Sequence, residues 1–161
     1  MPTSDKIYKL PDLLQEAKKW QQEGKKIVFT NGCFDLLHLG HVDYLEKART
    51  LGDKLIVGLN TDKSVSRLKG PSRPLQDEYG RARLIAALGF VDAVVFFAEE
   101  TPKQLIEALS PDILTKGDDY TPENIVGADF VLKNGGKVAT IPLVKGYSTS
   151  SIVRRIQQSN P

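Results

Sequence analysis

The sequence predicts one α/β domain, with a parallel sheet of about five strands and helices on both faces. Three observations lead to this fold class. Short β-branched and aromatic runs alternate with amphipathic stretches along the chain, as is typical of βαβ units. No internal repeat or linker interrupts this alternation. The length of 161 residues agrees with a single domain of about 100–200 residues.

The first predicted element is a helix over residues 12–23, because Leu13, Ala17 and Trp20 fall on one helical face. We treat residues 1–25 as a helical extension that precedes the sheet. The remainder of the chain, up to residue 161, then supplies the strands and their crossover helices in a single domain.

Five strands and five further helices follow in alternation. Each strand is a run rich in Val, Ile, Leu or Phe. The helix starting at Thr101-Pro102 has an N-cap pair, and Gly135-Gly136 ends the next one. The predicted strands are residues 27–30, 54–60, 93–97, 112–115 and 138–142. The predicted helices are residues 39–48, 76–89, 101–109, 122–134 and 148–157. Gly52 ends the first of these five. Right-handed crossovers place these helices on both faces.

The most conspicuous predicted loop is residues 69–74, because one glycine and two prolines break regular structure there. In open α/β sheets, ligands bind beyond the carboxyl ends of the strands. Loops at these ends often act as lids. We therefore expect Lys69 and Arg73, in this loop, to border a binding site.

Composition argues against several classes of protein. Lys and Arg exceed Asp and Glu by only two and are interspersed with them, whereas nucleic-acid-binding proteins usually have a clustered basic face. The single cysteine can form neither an internal disulfide nor a zinc cage, which is compatible with a reducing cytoplasm. The longest apolar run, residues 91–98, is far shorter than the ~20 residues of a membrane helix. We expect a cytoplasmic protein without a nucleic-acid or membrane partner.

Both histidines of the chain follow the first predicted strand, which makes this strand end the main candidate site. If His38 opens a helix, His38 and His41 lie one turn apart on the same face, with Gly40 between them. A helix N-terminus has unpaired N–H groups and a partial positive charge, so anionic oxygens are favoured there. Two imidazoles beside such an end predict a site for a polyphosphate.

Three other interpretations of this segment remain open. The histidines could be a helix cap and a surface residue. Asp35, His38 and His41 could bind a metal ion, although no further histidine exists to complete a strong transition-metal set. Cys33 could be a nucleophile with a histidine base, although a cysteine beside a buried strand is more often inert packing.

The stretch NGCFDLLHLGH, residues 31–41, resembles the HxGH signature of the nucleotidyltransferases that include the cytidylyltransferases. From about residue 26 to residue 157, the chain is similar to the D-glycero-β-D-manno-heptose 1-phosphate adenylyltransferase domains of ADP-heptose synthases. The supporting stretches are VGLNTD (57–62), LKGPSRP (68–74), RARLIAALGFVD (81–92), TPKQLIEALSPDILTKGDDY (101–120) and GYSTSSIVRRI (146–156). HxGH alone is moderately specific, whereas the ordered set is strongly specific.

The resemblance implies a Rossmann-like nucleotidyltransferase fold and a reaction in lipopolysaccharide precursor synthesis. ATP would transfer AMP to heptose 1-phosphate, giving ADP-heptose and pyrophosphate. We expect direct in-line attack by the acceptor phosphate, without a covalent enzyme intermediate. Mg²⁺ is expected to bind through the nucleotide phosphates, so no metal ligand is assigned to the chain.

The resemblance also implies roles for individual residues. The implied catalytic residues, which would bind phosphates and stabilise charge at the α-phosphate, are His38, His41, Lys69 and Arg81. The implied nucleotide-binding residues are Asn31, Gly32, Cys33, Phe34, Asp35, Gly40, Lys116, Gly117, Asp118, Tyr120, Ser148, Thr149 and Ser150. Among them, the three hydroxyl residues would hold the β- and γ-phosphates. The implied acceptor-binding residues are Asn60, Asp62 and Arg73.

Two departures from the family pattern bear on the substrate. Cys33 stands where many cytidylyltransferases have threonine, which favours the heptose branch. Asp118 stands where the heptose enzymes have a second glycine, and it is similar to the GDD of glycerol phosphate cytidylyltransferases. The alternative function is therefore a CTP-dependent enzyme for glycerol 3-phosphate or a related small phosphate. A more distant alternative is a non-catalytic nucleotide-binding module.

The resemblance also suggests partners. Homo-oligomers are common in the family, so a homo-oligomer is possible here. In many bacteria this activity is fused to a sugar kinase, for which 161 residues leave no room. We therefore expect a separate heptose kinase to supply the sugar 1-phosphate.

Overall fold

The computed structural model describes residues 1–159, which form a six-stranded parallel sheet with helices on both faces. The strand order is β1-β4-β3-β2-β5-β6, and every neighbouring pair is parallel. The strands are β1 (Ile7–Tyr8), β2 (Ile27–Gly32), β3 (Lys54–Asn60), β4 (Ala93–Phe97), β5 (Ile113–Gly117) and β6 (Lys137–Ile141).

Seven α-helices connect and cover these strands. They are α1 (Leu10–Gln22), α2 (Leu39–Thr50), α3 (Asp62–Lys69), α4 (Glu78–Ala86), α5 (Lys103–Leu109), α6 (Ala128–Lys133) and α7 (Thr149–Ser159). Short 3₁₀ helices lie at Thr3–Lys6 and Pro122–Asn124. Helices α1, α5 and α6 pack in one apolar cluster and α2 and α4 in another. The two clusters lie on opposite faces of the sheet, since successive β2 residues, Phe29 and Val28, belong to different ones.

The strand order reverses direction at β2. The chain runs from β2 through β3 to β4 on one side, and then crosses to β5 on the other side of β2. The carboxyl ends of β2 and β5 therefore border a topological switch point, where α/β proteins place their ligands. This geometry directs attention to the segments that follow these two strands.

The predicted fold class is confirmed, and the structure adds two elements that the sequence pattern did not indicate. β1 pairs Ile7 and Tyr8 with Val94 and Val95, which makes a sixth strand within the segment predicted as a helical extension. Two residues are too few to show an alternating pattern. Helix α3 covers residues 62–68, to which the sequence pattern assigned no element, and it buries only Ser64 and Val65.

Three boundaries differ from the prediction for physical reasons. The expected helix over residues 122–134 is split, because Gly127 adopts a left-handed conformation (φ +88°) before α6 begins. Lys69 is the last residue of α3 rather than part of the following loop. Asn31 and Gly32 continue β2 instead of ending it, since they pair with Gly58 and Leu59 of β3. None of the helices within residues 1–159 is long and apolar enough to cross a membrane.

Candidate active site

A cavity of about 670 Å³ opens at the carboxyl ends of β2, β3 and β5, a typical volume for a small-molecule site. It brings together most of the residues predicted for the site. Those that line it are Asn31, Gly32, Cys33, Phe34, Asp35, His38, Gly40, His41, Asn60, Lys69, Arg73, Lys116, Gly117, Tyr120, Ser148, Thr149 and Ser150. Three other predicted residues, Asp62, Arg81 and Asp118, are not among the residues that line it.

The two histidines close the N-terminus of α2. His38 is the N-cap residue, and its Nδ1 accepts a hydrogen bond from the backbone N–H of Gly40 at 3.1 Å. The Nδ1 of His41 accepts from the backbone N–H of His38 at 3.4 Å, which completes a reciprocal capping box. The expectation of unpaired N–H groups at this helix end is therefore wrong in part, because the imidazoles occupy two of them.

The imidazole rings are also held against each other. Their centroids lie 3.8 Å apart in a stacked arrangement, and the ring of Phe34 contacts His41 edge-on at 5.1 Å. Burial lowers the pKa of His38. Burial, the neighbouring His38 and the charge of Lys69 together lower the pKa of His41 to about 4. His41 is therefore neutral near pH 7.

Two glycines allow this close packing. A Cβ at Gly40 would lie 2.9 Å from Cε1 of His38 and 3.5 Å from Cβ of Tyr147. A Cβ at Gly32 would lie 2.9 Å from the ring of Phe34, which turns back under β2 with a left-handed backbone (φ 48°). Gly40 thus makes room for the imidazole and for the segment before α7, and not only for a ligand.

The hydroxyl residues at the start of α7 lie beside the histidines. Thr149 Oγ1 donates to the carbonyl oxygen of Leu36 at 3.3 Å, which ties α7 to the loop between β2 and α2. Ser148 Oγ accepts from the backbone N–H of Ser151 at 3.0 Å and so caps α7. The start of α7 and the histidines at the start of α2 are far apart in the chain, but they border one cavity.

Asp35 fastens the loop between α3 and α4. Its carboxylate accepts from the backbone N–H groups of Leu75 at 2.9 Å and Gln76 at 3.0 Å, and Arg73 Nη1 donates to it at 3.1 Å. Burial alone would raise the pKa of Asp35, but the two backbone N–H groups and the guanidinium of Arg73 outweigh burial and lower it. Arg73 therefore reaches the cavity while paired with Asp35.

Arg81 lies behind the cavity wall and contacts the backbone of residues that line the cavity. Its side chain is fully buried, and it donates to the carbonyl oxygens of Gln76, Cys33 and Asn60 at 2.8–3.0 Å. Its Nη2 also donates to Asp62 Oδ1 at 2.8 Å. The catalytic role expected for Arg81 and the acceptor contact expected for Asp62 do not fit this geometry, because the two side chains pair with each other outside the cavity. Arg81 joins the ends of β2 and β3 through the carbonyl oxygens of Cys33 and Asn60.

The segment after β5 contributes Lys116, Asp119 and Tyr120 to the cavity. Lys116 Nζ donates to the carbonyl oxygen of Asn31 at 3.0 Å and lies 5.3 Å from the ring centroid of Tyr120. Burial lowers the pKa of Lys116, although Cys33 and Asp119 act in the opposite direction. Asp118, assigned to the nucleotide, instead accepts from the backbone N–H of Leu143 at 3.3 Å. Its neighbour Asp119 occupies the cavity wall.

Cys33 and Asn60 occupy the floor of the cavity. The thiol of Cys33 donates to Asn60 Oδ1 at 3.7 Å, and the amide nitrogen of Asn60 donates to Ser64 at 2.9 Å. Burial raises the pKa of Cys33, with Lys69 and Arg81 opposing it. A protonated thiol bound to an amide does not favour the interpretation of Cys33 as a nucleophile. Within residues 1–159, no three His, Cys, Asp or Glu side chains are grouped as a metal site.

Sequence reasoning missed nine residues that line the cavity. They are Tyr44, Leu68, Phe97, Glu100, Pro102, Asp119, Leu143, Val144 and Tyr147. Some had a usable signal: Tyr44 lies one turn beyond His41 on α2, and Phe97 ends a predicted strand. The segment 143–147 had none, because its place beside α2 results from tertiary packing.

Comparison with known proteins agrees with this geometry. The model of the cytidylyltransferase-like family matches residues 29–155, which include every strand except β1 and β2's first two residues. The chain belongs to the cytidylyltransferase-like family. It is accordingly a nucleotidyltransferase, and the family resemblance predicted from the HxGH signature is confirmed.

Two of its relatives are named bifunctional protein HldE. The chain is 58% identical over 153 residues to the HldE of Magnetococcus marinus, covering 95% of this chain and 31% of that protein. It is 52% identical over 159 residues to the HldE of Gluconobacter oxydans, covering 99% of this chain and 33% of that protein. The chain therefore spans about a third of the length of these relatives.

Solved structures show the same fold. A lipopolysaccharide core biosynthesis protein from Thermoplasma volcanium superposes with a TM-score of 0.61 and 34% identity, covering 78% of this chain and all of that one. A pantoate-β-alanine ligase from Francisella tularensis gives a TM-score of 0.61 at 17% identity, covering 94% of this chain and 76% of that one. The second likeness concerns the fold alone.

Proposed function

We propose that the protein transfers AMP from ATP to D-glycero-β-D-manno-heptose 1-phosphate, giving ADP-heptose and pyrophosphate for lipopolysaccharide synthesis. The observation that carries this proposal is the shared cavity, in which the imidazole pair of α2 meets the hydroxyls that begin α7. The heptose-like stretches of the sequence and the likeness to HldE proteins support the choice of substrates.

The reaction needs no general base. The acceptor phosphate is already an anion at neutral pH, so one of its oxygens attacks the α-phosphorus of ATP directly. A new P–O bond forms on one side while the bond to the bridging oxygen breaks on the other, and pyrophosphate leaves with both electrons. The difficulty is the approach of two anions, so positioning and electrostatic stabilisation supply most of the rate enhancement.

The residues around the cavity suit this task. His38 and His41 would donate to oxygens of the triphosphate near the α-phosphorus, and Lys69 would reach over it from the end of α3. Ser148, Thr149 and Ser150 would hold the β- and γ-phosphates at the N-terminus of α7, where the helix dipole favours negative charge. No residue in this scheme forms a covalent bond to the nucleotide.

Mg²⁺ would enter this site as a partner of the nucleotide. The carboxylate of Asp35 is taken up by Arg73 and two backbone N–H groups, so it has little capacity left for a cation. The cavity's other carboxylates, Glu100 and Asp119, follow strands on opposite sides of the β2–β3 pair. We therefore assign Mg²⁺ to the triphosphate oxygens, where it would neutralise part of their charge.

The base and ribose would lie between β5 and the segment before α7, against Lys116, Tyr120 and Asp119. One feature favours a second candidate function, CTP-dependent transfer to glycerol 3-phosphate, and that feature is Asp118. Because Asp118 turns towards the backbone of Leu143, it would shape the pocket rather than contact the base. We therefore keep ATP as the proposed donor, with a heptose kinase supplying the acceptor in the cytoplasm.

A substrate panel tests the proposal. Purified protein with Mg²⁺ is incubated with ATP or CTP and with heptose 1-phosphate, a hexose 1-phosphate or glycerol 3-phosphate, and pyrophosphate release is measured. We expect the highest kcat/KM for ATP with heptose 1-phosphate. Faster turnover of CTP with glycerol 3-phosphate would establish the second candidate. ATP binding by calorimetry without turnover of any acceptor would contradict both and indicate a nucleotide-binding module.

A further inference from the structure

Three hydroxyl groups bridge the gap between β2 and β5 beside the cavity, and they belong to Thr30 on β2, Tyr44 on α2 and Thr115 on β5. We call them the hydroxyl ring. The phosphate side of the cavity is the start of α2 with its imidazole pair, and the base side is residues 116–120 at the end of β5. We propose that the hydroxyl ring fixes the separation of these two sides, with Tyr44 as the positioning residue. The proposal rests on the proposed function, because it assumes a nucleotide that spans both sides.

The gap exists because the ladder between β2 and β5 is short. Residues 28–29 of β2 pair with residues 113–114 of β5, although β2 continues to Gly32 and β5 to Gly117. Beyond these pairs, each strand stays paired with its outer neighbour, which is β3 for β2 and β6 for β5. The two strands therefore part at their carboxyl ends, and side chains rather than backbone hydrogen bonds set their separation there.

The direction of each hydrogen bond in the hydroxyl ring follows from counting protons. Thr30 Oγ1 lies 3.2 Å from the carbonyl oxygen of Thr115, which can only accept, so Thr30 uses its single proton there. The Tyr44 hydroxyl, 2.8 Å from Thr30 Oγ1, must then donate to it. Thr115 Oγ1, 3.1 Å from the Tyr44 hydroxyl, must donate in turn. The hydroxyl ring thus begins and ends on Thr115 and uses all three protons.

Burial makes the hydroxyl ring hard to open. Thr30 and Thr115 are fully buried and Tyr44 is 8% exposed, so a hydroxyl that left the ring would lose its partner in the protein interior, which is costly. Successive hydrogen bonds in such a chain also polarise and strengthen one another. Burial raises the pKa of Tyr44, although its hydrogen bonds with the two threonines act in the opposite direction. The phenol is therefore protonated near pH 7 and keeps donating.

The hydroxyl ring connects the two sides of the cavity. Tyr44 lies one helical turn beyond His41, so fixing its phenol also fixes the start of α2. Thr115 directly precedes Lys116, with which the base side begins. A second contact crosses the gap one residue further along, where Lys116 Nζ donates to the carbonyl oxygen of Asn31 at 3.0 Å. Side chains on both strands therefore replace the missing ladder.

A fixed separation matters only to a ligand that reaches both sides. ATP extends from the base to the γ-phosphate, whereas tripolyphosphate occupies only the phosphate side and adenosine only the base side. The closed hydroxyl ring orders the two sides before a ligand arrives, which lowers the entropic cost of binding. An open ring leaves each side intact but lets their separation vary, so ATP alone would bear the cost of ordering them.

Binding of ATP and of its two fragments to Tyr44→Phe tests the proposal. Dissociation constants for ATP, tripolyphosphate and adenosine, each with Mg²⁺, are measured by displacement of a fluorescent ATP analogue. We expect Kd for ATP to rise about 3–10-fold, as for the ordering of one or two extra side chains, while both fragments bind as they do to the wild type. Tyr79→Phe makes the same change at an exposed position of α4, and this control should bind all three ligands normally.

The other outcomes contradict the proposal. An unchanged Kd for ATP in Tyr44→Phe would show that the hydroxyl ring does not position the two sides. Equal weakening of ATP and one fragment would mean that the hydroxyl contacts that part of the nucleotide, and equal weakening of all three would mean general disruption of the site. No acceptor enters this measurement, so its failure is distinct from failure of the substrate panel. If that panel identifies CTP as the donor, CTP and cytidine replace ATP and adenosine. A wild type that bound neither nucleotide would overturn both proposals.

Two substitutions of Thr30 separate its hydroxyl from its packing. Thr30→Val keeps the shape of the side chain but removes the acceptor for Tyr44, whereas Thr30→Ser keeps the hydroxyl. We expect Thr30→Val to weaken ATP binding and Thr30→Ser to restore most of the affinity. This pair also decides the question if Tyr44→Phe does not fold.

The double variant tests whether the hydroxyls form one ring. Because both substitutions open the same ring, adding Thr30→Val to Tyr44→Phe should raise Kd for ATP by less than the product of the two single effects. Single effects that simply multiply would show that the two hydroxyls act separately, and they would contradict the closed ring.

Discussion

The helices α2 and α7 both point their N-termini into the cavity, but they are closed and anchored differently. The N-terminus of α2 is capped by two imidazoles, and Tyr44, Leu45 and Ala48 bury one face of this helix in the core. The N-terminus of α7 is capped by a serine hydroxyl, and no described residue of α7 is buried. One helix end is therefore held by the core and the other is held chiefly at its first turn.

The difference indicates how the work is divided in the site. A donor that must match a transition state has to be fixed before the ligand arrives. The α2 end meets this condition, since its cap, its stacked rings and its buried face restrict it independently. The α7 end is tied to the loop between β2 and α2 through Thr149 and Leu36, and we expect it to adjust to the phosphates. We expect α2 to dominate turnover and α7 to dominate nucleotide binding.

Replacing His41 by alanine has the largest expected effect. The variant loses a preorganised N–H donor and one bond of the capping box, so kcat should fall by about 10²–10³-fold while KM for ATP changes little. Steady-state pyrophosphate release measures the loss, and circular dichroism checks the fold. A folded His41→Ala protein with nearly normal turnover would contradict the division between the two helices.

Replacing Arg81 by methionine removes the side chain that joins the ends of β2 and β3 next to α2. Three backbone carbonyl oxygens lose their donor, and the one of Asn60 is buried. A buried acceptor left unsatisfied costs about 1–3 kcal/mol, so the free energy of unfolding should fall by about that amount. Urea denaturation measures the change. Arg154→Met, at an exposed position of α7, is the control and should stay within about 0.5 kcal/mol of wild type. Equal losses in both variants would show that Arg81 does not support the site.

The behaviour of Asp35 at low pH is expected to be the next largest effect. Its pKa is lower in the folded protein than in the unfolded chain, so the folded state binds fewer protons. The stabilisation is complete above the unfolded pKa of about 3.9 and is lost as pH falls through the folded pKa. Urea denaturation of wild type and Asp35→Asn should therefore differ most at pH 6 and least near pH 2. A difference that is constant with pH would contradict the interpretation.

Much of the fold could be predicted because its central strands are continuous apolar runs. The predicted strands 54–60 and 93–97 coincide with β3 and β4. β1 could not be predicted, since two residues form a strand only because β4 offers them an edge. Likewise α3 was not predicted, because its composition is strongly polar and it buries only Ser64 and Val65.

The candidate site also contains residues whose placement could be predicted from the sequence and residues whose placement could not. His38, His41 and Ser148 were predictable, because capping and phosphate binding both use residues within one turn of a helix start. The direction of a side chain further away was not predictable. Arg81 has the charge expected of a phosphate-binding residue, yet its burial among carbonyl oxygens depends on how β2, β3 and the loop before α4 meet. Asp118 and Asp119 are chemically identical neighbours, and only the backbone decides which one faces the cavity.

Replacing Ser148 by alanine has the smallest expected effect and tests the adjustable side of the comparison. Loss of an N-cap costs a helix about 1 kcal/mol. Because no described residue of α7 is buried in the core, we expect this cost to appear as faster hydrogen exchange in the first turn of α7 and not in global unfolding. KM for ATP should rise severalfold while kcat stays close to wild type, since the imidazoles remain in place. Saturating ATP should restore the slow exchange, because phosphate oxygens can accept from the freed N–H groups. A large fall in kcat with an unchanged KM would place α7 in the chemical step and reverse the assignment of the two helix ends.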